Sequence, residues 1–329
     1  MPHLLNPIPF PPVILILAFA LDLAVGDPEW LPHPVRWIGR LIAALEGVIR
    51  RFTSTPAQER LGGIVLAVAV VAAVYAAAFL LLYAAYRHST PLFYLLSIYI
   101  VWTSISARSL KKEADGVVSA LKERGIAAAR TRLSRIVGRD TESLSEEEVM
   151  RAVVETVSEN TSDGVVAPLF FLAIGGPPLM LAYKAINTLD SMVGYRNHKY
   201  IDFGRFSARL DDAANFIPAR LSALLMVIAS MILGYNWREA YRISRRDGGK
   251  HPSPNSGLPE AAVAGALGVR LGGQAHYGGR VSEKPCIGER LRAIDARVVS
   301  SSVNIMYATT FLSVLLAFLA RATAVMFAG

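Results

Sequence analysis

One short stretch of the chain, Asn187 to Arg220, concentrates side chains that could do chemistry between two apolar runs. Its acidic, basic and amide members include Asp190, Asp211, Asp212, Arg196, Lys199, Arg205, Arg209, Arg220, Asn187 and Asn215. Ionisable groups beside membrane-length apolar segments are typical of functional sites in membrane proteins. The alternative is a solvated loop whose charges are incidental. We interpret the stretch as the candidate active site.

A second acidic pattern lies upstream. Ser145 and Glu148 form a capping box, which predicts a helix beginning there. On that helix Glu155, Glu159 and Asp163 share one face at i, i+4 and i+8, where like charges repel by about 0.2–0.5 kcal/mol per pair. A Mg²⁺ ion would remove this repulsion because hard cations bind carboxylate oxygens. The alternative is a solvated helix face.

The segment from Asp247 to Gly273 is irregular in its first half, with many Gly, Pro and Ser residues. Pro259 fits the first position of a helix over Glu260–Leu267. A loop that enters a helix N-terminus presents free N–H groups, which predicts an anion site. A simple surface turn is the alternative, and the chain contains no GxxxxGK[ST] phosphate-binding motif.

The elements that must position these groups are membrane helices. The chain has 329 residues, 53% hydrophobic and 18% charged, with a mean hydropathy of +0.38, which is too apolar for an ordinary soluble domain. The net charge of +8 is spread through the loops, which argues against nucleic-acid binding. A single cysteine, Cys286, excludes an internal disulfide framework.

These features predict an all-α, polytopic integral membrane protein with one membrane-embedded domain over residues 1–329 and about four to six apolar membrane helices. The apolar segments are 12–26, 62–86, 91–105, 165–186, 219–234 and 303–327, and a polar helical region covers 106–163. The first segment is expected to be a retained membrane helix because no cleavage pattern follows it. An amphipathic helix is expected to begin at Val35.

The segment 165–186 is interrupted by Gly175-Gly-Pro-Pro178, which predicts a broken or re-entrant helix. If all six segments crossed, the basic loops would be cytoplasmic and the candidate active site would face outward. We therefore predict that this segment does not fully cross, so that the candidate active site lies on the cytoplasmic side.

Several blocks of sequence resemble one known family. They are GDP with LPHPVRWIGR, VGRDT, ETVSENTSDGVVAPLFF, NTLDSMVGY, FSARLDDAANFIPARL, SPNSG and LGGQAHYGG, in order from about Asp22 to Glu289. This series resembles the CobD/CbiB cobalamin biosynthesis proteins, the adenosylcobinamide-phosphate synthases. The resemblance implies an enzyme of the cytoplasmic membrane of a prokaryote. It would join the ring D propionate of adenosylcobyric acid to aminopropanol phosphate, or to a related amino alcohol, through an amide.

The implied reaction needs ATP, because a carboxylate does not form an amide without activation, and transfer from ATP needs Mg²⁺ and cationic groups. No tightly bound prosthetic group is expected. We predict that the carboxylates Asp190 and Asp212 bind Mg²⁺, with Asp211, Glu159 and Asp163 nearby. The predicted substrate- and phosphate-binding residues are Asn160, Asn187, Tyr195, Arg196, Lys199, Arg209, Asn215, Arg220, Lys250, His251, Ser253, Asn255 and Gly257.

The expected partners are the corrinoid substrate, aminopropanol or its phosphate, membrane lipid and other membrane-bound late cobalamin enzymes. Two other functions remain open. A transporter would use the membrane carboxylates for a coupling cation or protons. A non-catalytic corrinoid-handling protein would bind without turnover.

Overall fold

A computed structural model describes residues 10–28, 30–195, 197–277 and 280–326. Within them the chain is predominantly helical, as predicted. The helices are α1 (Pro12–Val25), α2 (Pro34–Ile49), α3 (Pro56–His88), α4 (Thr90–Trp102), α5 (Ala107–Arg124), α6 (Ile126–Leu133), α7 (Glu146–Thr161), α8 (Ala167–Val193), α9 (Arg205–Ile232), α10 (Trp237–Asp247), α11 (Gly257–Leu267) and α12 (Ala296–Met326). Two strands, β1 (Arg270–Tyr277) and β2 (Arg280–Gly288), form an antiparallel pair.

Local sequence explains where several helices begin. Proline is the first residue of α1, α2 and α3, where its missing N–H group has no helical partner to lose. The predicted capping box is present, since the Ser145 hydroxyl accepts from Glu148 N and the Glu148 carboxylate accepts from Ser145 N at 2.8 Å. Thr55 and Gln58 form a second box at the start of α3.

The predicted interruption of the 165–186 segment is confirmed. Inside α8, Gly175 and Gly176 have non-helical backbone angles, with φ of +70° at Gly176. That conformation is open to glycine and strained for other residues. Pro177 and Pro178 follow at once, and their rings fit only the first turn of a new helix. The side of the membrane reached by the chain after this break stays a prediction.

Membrane character is confirmed. Five helical stretches in the described part of the chain are long and apolar enough to cross a membrane: Pro56–His88, Thr90–Arg124, Glu146–Val193, Arg205–Ile232 and Ala296–Thr323. α1 is apolar but shorter, and it holds the buried Asp22.

The chain divides into two compact units. The first comprises residues 1–106, 167–215 and 314–329. In it α2, α3 and α8 pack around a core that includes Ile42, Leu66, Val70, Leu189 and Phe203. α1 packs on α4, and α4 also contacts α3 and α8. The prediction of a single domain over the whole chain stays a prediction.

The second unit comprises residues 107–166 and 216–313. Here α5, α6 and α7 pack on one another, α10 lies against α11, and α11 contacts α7 and both strands. The pairing of β1 with β2 was not predicted from sequence. It runs from Arg270 opposite Gly288 to Tyr277 opposite Arg280, with a bulge at Leu271–Gly273.

Candidate functional site

The first group of functional side chains lies in the first unit, on α8 and α9. We name this group the α8–α9 cluster; its members are Tyr183, Asn187, Asp190, Asp211, Asp212 and Asn215. The three α8 members recur at i, i+4 and i+7 and share one face of α8, and Asp211 and Asn215 recur at i and i+4 and share one face of α9. The structure therefore brings together five of the residues predicted from the sequence.

Hydrogen bonds connect the cluster. The Tyr183 hydroxyl donates to Asn215 Oδ1 at 2.9 Å, and Asn215 Nδ2 donates to Asp211 Oδ2 at 3.0 Å. Asn187 Nδ2 reaches Asp211 Oδ1 at 3.4 Å. Tyr183 and Asn215 are each 1% exposed, so their polar groups depend on these partners. The network fixes the Asp211 carboxylate between two amide donors.

Three carboxylates meet in this cluster. Asp190 and Asp212 lie close enough to Asp211 to repel its negative charge, and Asp190 exerts the larger effect. Neighbouring carboxylates favour a bound cation, and carboxylate and amide oxygens are the ligands that Mg²⁺ prefers. No group of three or more His, Cys, Asp or Glu among the described residues is arranged to hold a metal by itself. Mg²⁺ is usually held by one or two carboxylates together with substrate phosphates, so the donor set fits Asp190 and Asp212 in that role.

Glycines after α8 make room for the cluster. Gly194 N donates to Asp190 O at 2.7 Å, and a Cβ at position 194 would lie 1.9 Å from Asp190 Oδ1. A Cβ at Gly204 would lie 1.7 Å from Val193 O. The chain between α8 and α9 therefore approaches α8 so closely that side chains at these two positions are excluded.

Lys199, Arg209 and Tyr195, predicted as binding residues of the first unit, lie at its surface. Lys199 contacts Glu46 at 3.4 Å and the Tyr200 hydroxyl at 2.6 Å, and this hydrogen bond raises the pKa of Lys199. Arg209 and Tyr195 are exposed. Arg196 lies outside the described residues.

The second group lies in the second unit, where α7 faces the loop before α11. We name it the α7–α11 cluster; its members are Glu155, Glu159, His251, Ser256 and Glu260. Glu159 Oε1 accepts from Ser256 Oγ at 2.9 Å. Glu155 is 4% exposed and accepts from Gly272 N at 2.8 Å and from Arg139. Two acidic residues of the predicted α7 face are thus buried or partnered, and this face is not the solvated surface that was the alternative.

Glu260 is the least expected member. It lies on the buried helix α11 and is 4% exposed. Burial raises the pKa of Glu260 well above its usual range, and the charges of Glu155 and Glu159 raise it further, against the opposing effects of Lys284 and Arg139. Burial and the neighbouring carboxylates therefore favour the protonated form of Glu260, and a cation bound in the cluster would oppose this effect.

His251 places an unpartnered ring nitrogen in the same cluster. Its Nδ1 accepts from Ser253 N at 3.1 Å, which leaves Nε2 buried and without a hydrogen-bond partner among the described residues. Burial lowers the pKa of His251 and Lys284 lowers it further, while Glu159 and Glu155 act in the opposite direction. Because Nδ1 accepts this hydrogen bond, the neutral imidazole carries its proton on Nε2, and Nε2–H can donate to an acceptor atom of a substrate.

The predicted anion site at this loop is not favoured by its hydrogen bonds. Asn255 N and Ser256 N both point to Ser253 Oγ, at 3.2 Å and 3.4 Å, and Leu258 N donates to Asn255 O. Lys250 Nζ pairs with Asp247 at 2.6 Å. Most of the expected donors are already engaged, and the Glu159 carboxylate lies beside Ser256 at the helix start. This loop favours a cationic group over a phosphate.

The helix predicted over Glu260–Leu267 begins earlier than predicted. α11 begins at Gly257, two residues before Pro259. The chain packs tightly at this helix start, since a Cβ at Gly257 would lie 2.4 Å from Gly248 O and 2.6 Å from His251 Cβ. Gly257 is thus required by close packing.

Three other predicted residues of the second unit make local contacts. Asn160 Nδ2 donates to Thr156 O on its own helix at 2.9 Å. Arg220 lies over the ring of Phe216 at 3.5 Å. Asp163 lies in a π-helical turn, Ser162–Val166, that follows α7.

Sequence reasoning missed Tyr183 and Glu260 as members of the clusters. Glu260 is the one charged residue of the apolar segment PEAAVAGAL, and Tyr183 lies in the mostly apolar segment LMLAYKAIN. Buried polar groups cost free energy unless they are hydrogen-bonded, so an isolated polar residue in such a segment is itself a signal of a site. The sequence predictions rest on dense polar stretches, which do not indicate these two residues.

Comparison with known proteins shows which family the chain belongs to. A family model described as CobD/Cbib protein matches residues 15–306. The chain is 48% identical to the cobalamin biosynthesis protein CobD of Pelobacter propionicus over 97% of each chain. It is 51% identical to the CobD protein of Geobacter metallireducens, covering 92% of this chain and 95% of the relative. It is 46% identical to the cobalamin biosynthesis protein CbiB of Salmonella arizonae, covering 93% and 96%. No solved structure matches the chain.

Proposed function

Because the chain belongs to the CobD/Cbib protein family and acts in cobalamin biosynthesis, we propose that it is an ATP-dependent amide synthase. It joins adenosylcobyric acid to aminopropanol phosphate, or to a related amino alcohol, and gives adenosylcobinamide phosphate. The observation that carries the proposal is the α8–α9 cluster, in which carboxylate and amide groups meet inside an otherwise apolar helical unit. A protein with only a structural role does not need several carboxylates placed together at such a cost.

The chemistry has two steps. The corrin carboxylate attacks the γ-phosphorus of ATP, which forms an acyl phosphate and releases ADP. The amine then attacks the acyl carbon, the C–N bond forms, phosphate leaves, and one proton is released from the former ammonium group. The acyl phosphate is needed because a carboxylate oxygen is a poor leaving group at neutral pH.

The α8–α9 cluster suits the first step. Asp190 and Asp212 would hold Mg²⁺, which when bound supplies positive charge beside the phosphates of the nucleotide. Asn187 and Asn215 hold the Asp211 carboxylate in place by their amide groups. The two Asn side chains can also offer neutral donors and acceptors to the amides of a corrin ring.

The α7–α11 cluster suits the amine. The carboxylates of Glu159 and Glu260 favour an ammonium group, and the Nε2–H group of His251 can donate a hydrogen bond to an acceptor atom of the substrate. The lowered pKa of His251 favours this neutral form of the imidazole.

The decisive experiment supplies purified protein with adenosylcobyric acid, ATP and Mg²⁺. Aminopropanol, its phosphate and ethanolamine phosphate are offered separately, and the corrinoid product is identified by mass spectrometry. We expect a product whose mass corresponds to an amide with one of these amines, only when ATP and Mg²⁺ are present. An unchanged corrinoid with every amine would instead support a transporter or a non-catalytic corrinoid-handling protein.

Two substitutions test the carboxylates. Asp190→Asn and Asp212→Asn keep the side-chain size but remove the charge, so each should lower turnover by about 100-fold or more if it holds the cation beside the phosphates. The matched control is Asp202→Asn in the same unit, because among the described residues Asp202 pairs only with the half-exposed Arg60, at 2.7 Å. Near-normal turnover of both cluster variants at saturating Mg²⁺ would remove them as cation ligands.

The proposed location is the cytoplasmic membrane, consistent with the five apolar helical stretches. Ser191 is exposed at the end of α8 and can report the side of the membrane. We expect a cysteine at Ser191, in a variant without Cys286, to react with a membrane-impermeant thiol reagent in inside-out vesicles. Reaction only in right-side-out vesicles would contradict a cytoplasmic active site.

A further inference from the structure

A cavity of about 320 Å³ lies in the second unit beside the first turn of α7. Four arginines line it, and they come from three separate parts of the unit: Arg151 on α7, Arg270 on β1, and Arg290 and Arg292 in the segment after β2. We name it the arginine cavity. None of its residues belongs to the sites predicted from the sequence.

Two of the four charges are balanced by carboxylates. Arg290 Nη2 lies 2.8 Å from Glu147 Oε2, and Arg151 Nη2 lies 3.7 Å from Glu148 Oε1. Arg270 and Arg292 have no carboxylate oxygen within 4 Å among the described residues. The lining therefore carries two positive charges in excess.

The balanced pairs also position the cavity. Glu148 is held at the start of α7 by the capping box with Ser145. Arg151 is only 18% exposed, and its guanidinium also contacts Gln274 O at 3.4 Å on β1. The bulged strand β1 therefore brings Arg270 and Arg151 to one place, which the sequence alone does not indicate.

We propose that the arginine cavity binds the phosphoryl group of a phosphorylated substrate. The guanidinium group presents several N–H donors in a planar fork that matches phosphate oxygens, and it stays charged at every physiological pH. An anion bound to Arg270 and Arg292 offsets the excess charge, whereas the loop before α11 already faces carboxylates. This inference rests on the proposed function for the identity of the ligand, which is ATP or the amino-alcohol phosphate.

The place of the cavity on α7 fits such a ligand. Arg151, Glu155 and Glu159 follow one another at intervals of four residues, so they lie along one face of the helix at about one turn, or ~6 Å, apart. One end of this face is basic and the other acidic. A substrate that carries both a phosphate and an ammonium group matches that order of charges.

The test measures binding directly, without turnover. The full-length purified protein in lipid nanodiscs is titrated by calorimetry with ATP, aminopropanol phosphate and inorganic phosphate in separate experiments, without Mg²⁺. The double variant Arg270→Gln/Arg292→Gln should bind the phosphorylated substrate at least about tenfold more weakly, because each charge-assisted hydrogen bond contributes appreciably. Which ligand responds identifies the source of the phosphoryl group.

The matched control is Arg238→Gln/Arg297→Gln, which removes the same two charges from exposed positions of the same unit. It should bind as the unchanged protein does. The variant Arg270→Lys/Arg292→Lys keeps the charge without the planar fork, so it should bind with intermediate affinity. Equal affinities in the glutamine variant and its control, or no binding of any of the three ligands to the unchanged protein, would overturn the inference.

The outcome separates this inference from the proposed function. If the unchanged protein forms the amide but the glutamine variant binds phosphate normally, the cavity assignment fails and the function stands. If phosphate binding depends on Arg270 and Arg292 but no amide is formed with any amine, the cavity is a phosphate site and the proposed function fails.

Discussion

Gly194 provides a test of how closely the α8–α9 cluster is built. A Cβ at this position would lie 1.9 Å from Asp190 Oδ1 and 2.7 Å from the Asp190 carbonyl oxygen, whereas ordinary contacts begin near 3.4 Å. In Gly194→Ala the carboxylate oxygen must therefore move by about 1.5 Å. The side chain can rotate away, but it then leaves the position beside Asp211 and Asp212.

The expected effect of Gly194→Ala on the proposed reaction is large. A displacement of ~1 Å in a positioning group can lower the rate by about 100-fold. The added methyl group should cost about 1–3 kcal/mol in stability as an overpacked contact. Initial rates of amide formation at saturating substrates, together with a Mg²⁺ titration, measure the first effect. Thermal unfolding in detergent measures the second.

Gly47→Ala is the matched control in the same unit. Gly47 lies within α2, and a Cβ there would meet no atom within 4 Å. The control should have the normal rate and a stability equal to or greater than that of the unchanged protein, since Ala is favoured over Gly in a helix. A normal rate and a normal Mg²⁺ dependence in Gly194→Ala would refute the argument that Asp190 must occupy its observed position.

Two further predictions concern buried polar groups. The pKa of Glu260 is raised above its unfolded value of about 4.3. The contribution of Glu260 to stability is therefore fully present below that pH and is lost as pH rises through the folded pKa. The thermal unfolding temperature should decline with rising pH, and this decline should be weaker in Glu260→Gln. Tyr183→Phe removes the donor to a buried amide oxygen and should lower stability by about 1–3 kcal/mol, whereas Tyr83→Phe, at a side chain that is 42% exposed, should have little effect in the same unfolding assay. Equal unfolding curves for the two tyrosine variants, or an unchanged pH dependence in Glu260→Gln, would contradict these assignments.

Much of the helical architecture could be predicted from the sequence, because long uncharged runs have few alternatives to a helix. The run from Gly62 to Tyr86 lies within α3, and the runs before and after Gly175 form the two parts of α8. The capping box located the start of α7 by local chemistry, which needs no knowledge of tertiary contacts. Pro259 gave the start of α11 less accurately, because that helix begins two residues earlier at Gly257.

The strand pair could not be predicted in the same way. β1 contains Gly272 and Gly273 with φ of +79° and +87°, and β2 contains Pro285, none of which favours a strand. A Cβ at Gly272 would lie 2.3 Å from Pro285 O, so the two segments fit each other only as a pair. This information lies in the pairing and cannot be read from either segment alone.

The candidate sites were predicted in part for a related reason. The sequence placed Asp211 and Asn215 in one dense polar stretch, and the structure joins them by a hydrogen bond. Helical spacing does not reveal which second helix completes the group, so Tyr183 was missed. It also does not reveal that Gly194 must lack a side chain.

The loop before α11 shows why an N-terminal helix position alone does not establish an anion site. The sequence predicts free N–H groups there, but the Ser253 hydroxyl accepts from two of them, Asn255 N and Ser256 N. The Glu159 carboxylate also lies beside the helix start, where it accepts from Ser256 Oγ. A phosphate would have to displace these partners and approach a carboxylate. An ammonium group would instead reduce the repulsion among Glu155, Glu159 and Glu260. The helix start therefore favours the amine of the proposed reaction, and the charge that favours a phosphate lies at Arg270 and Arg292.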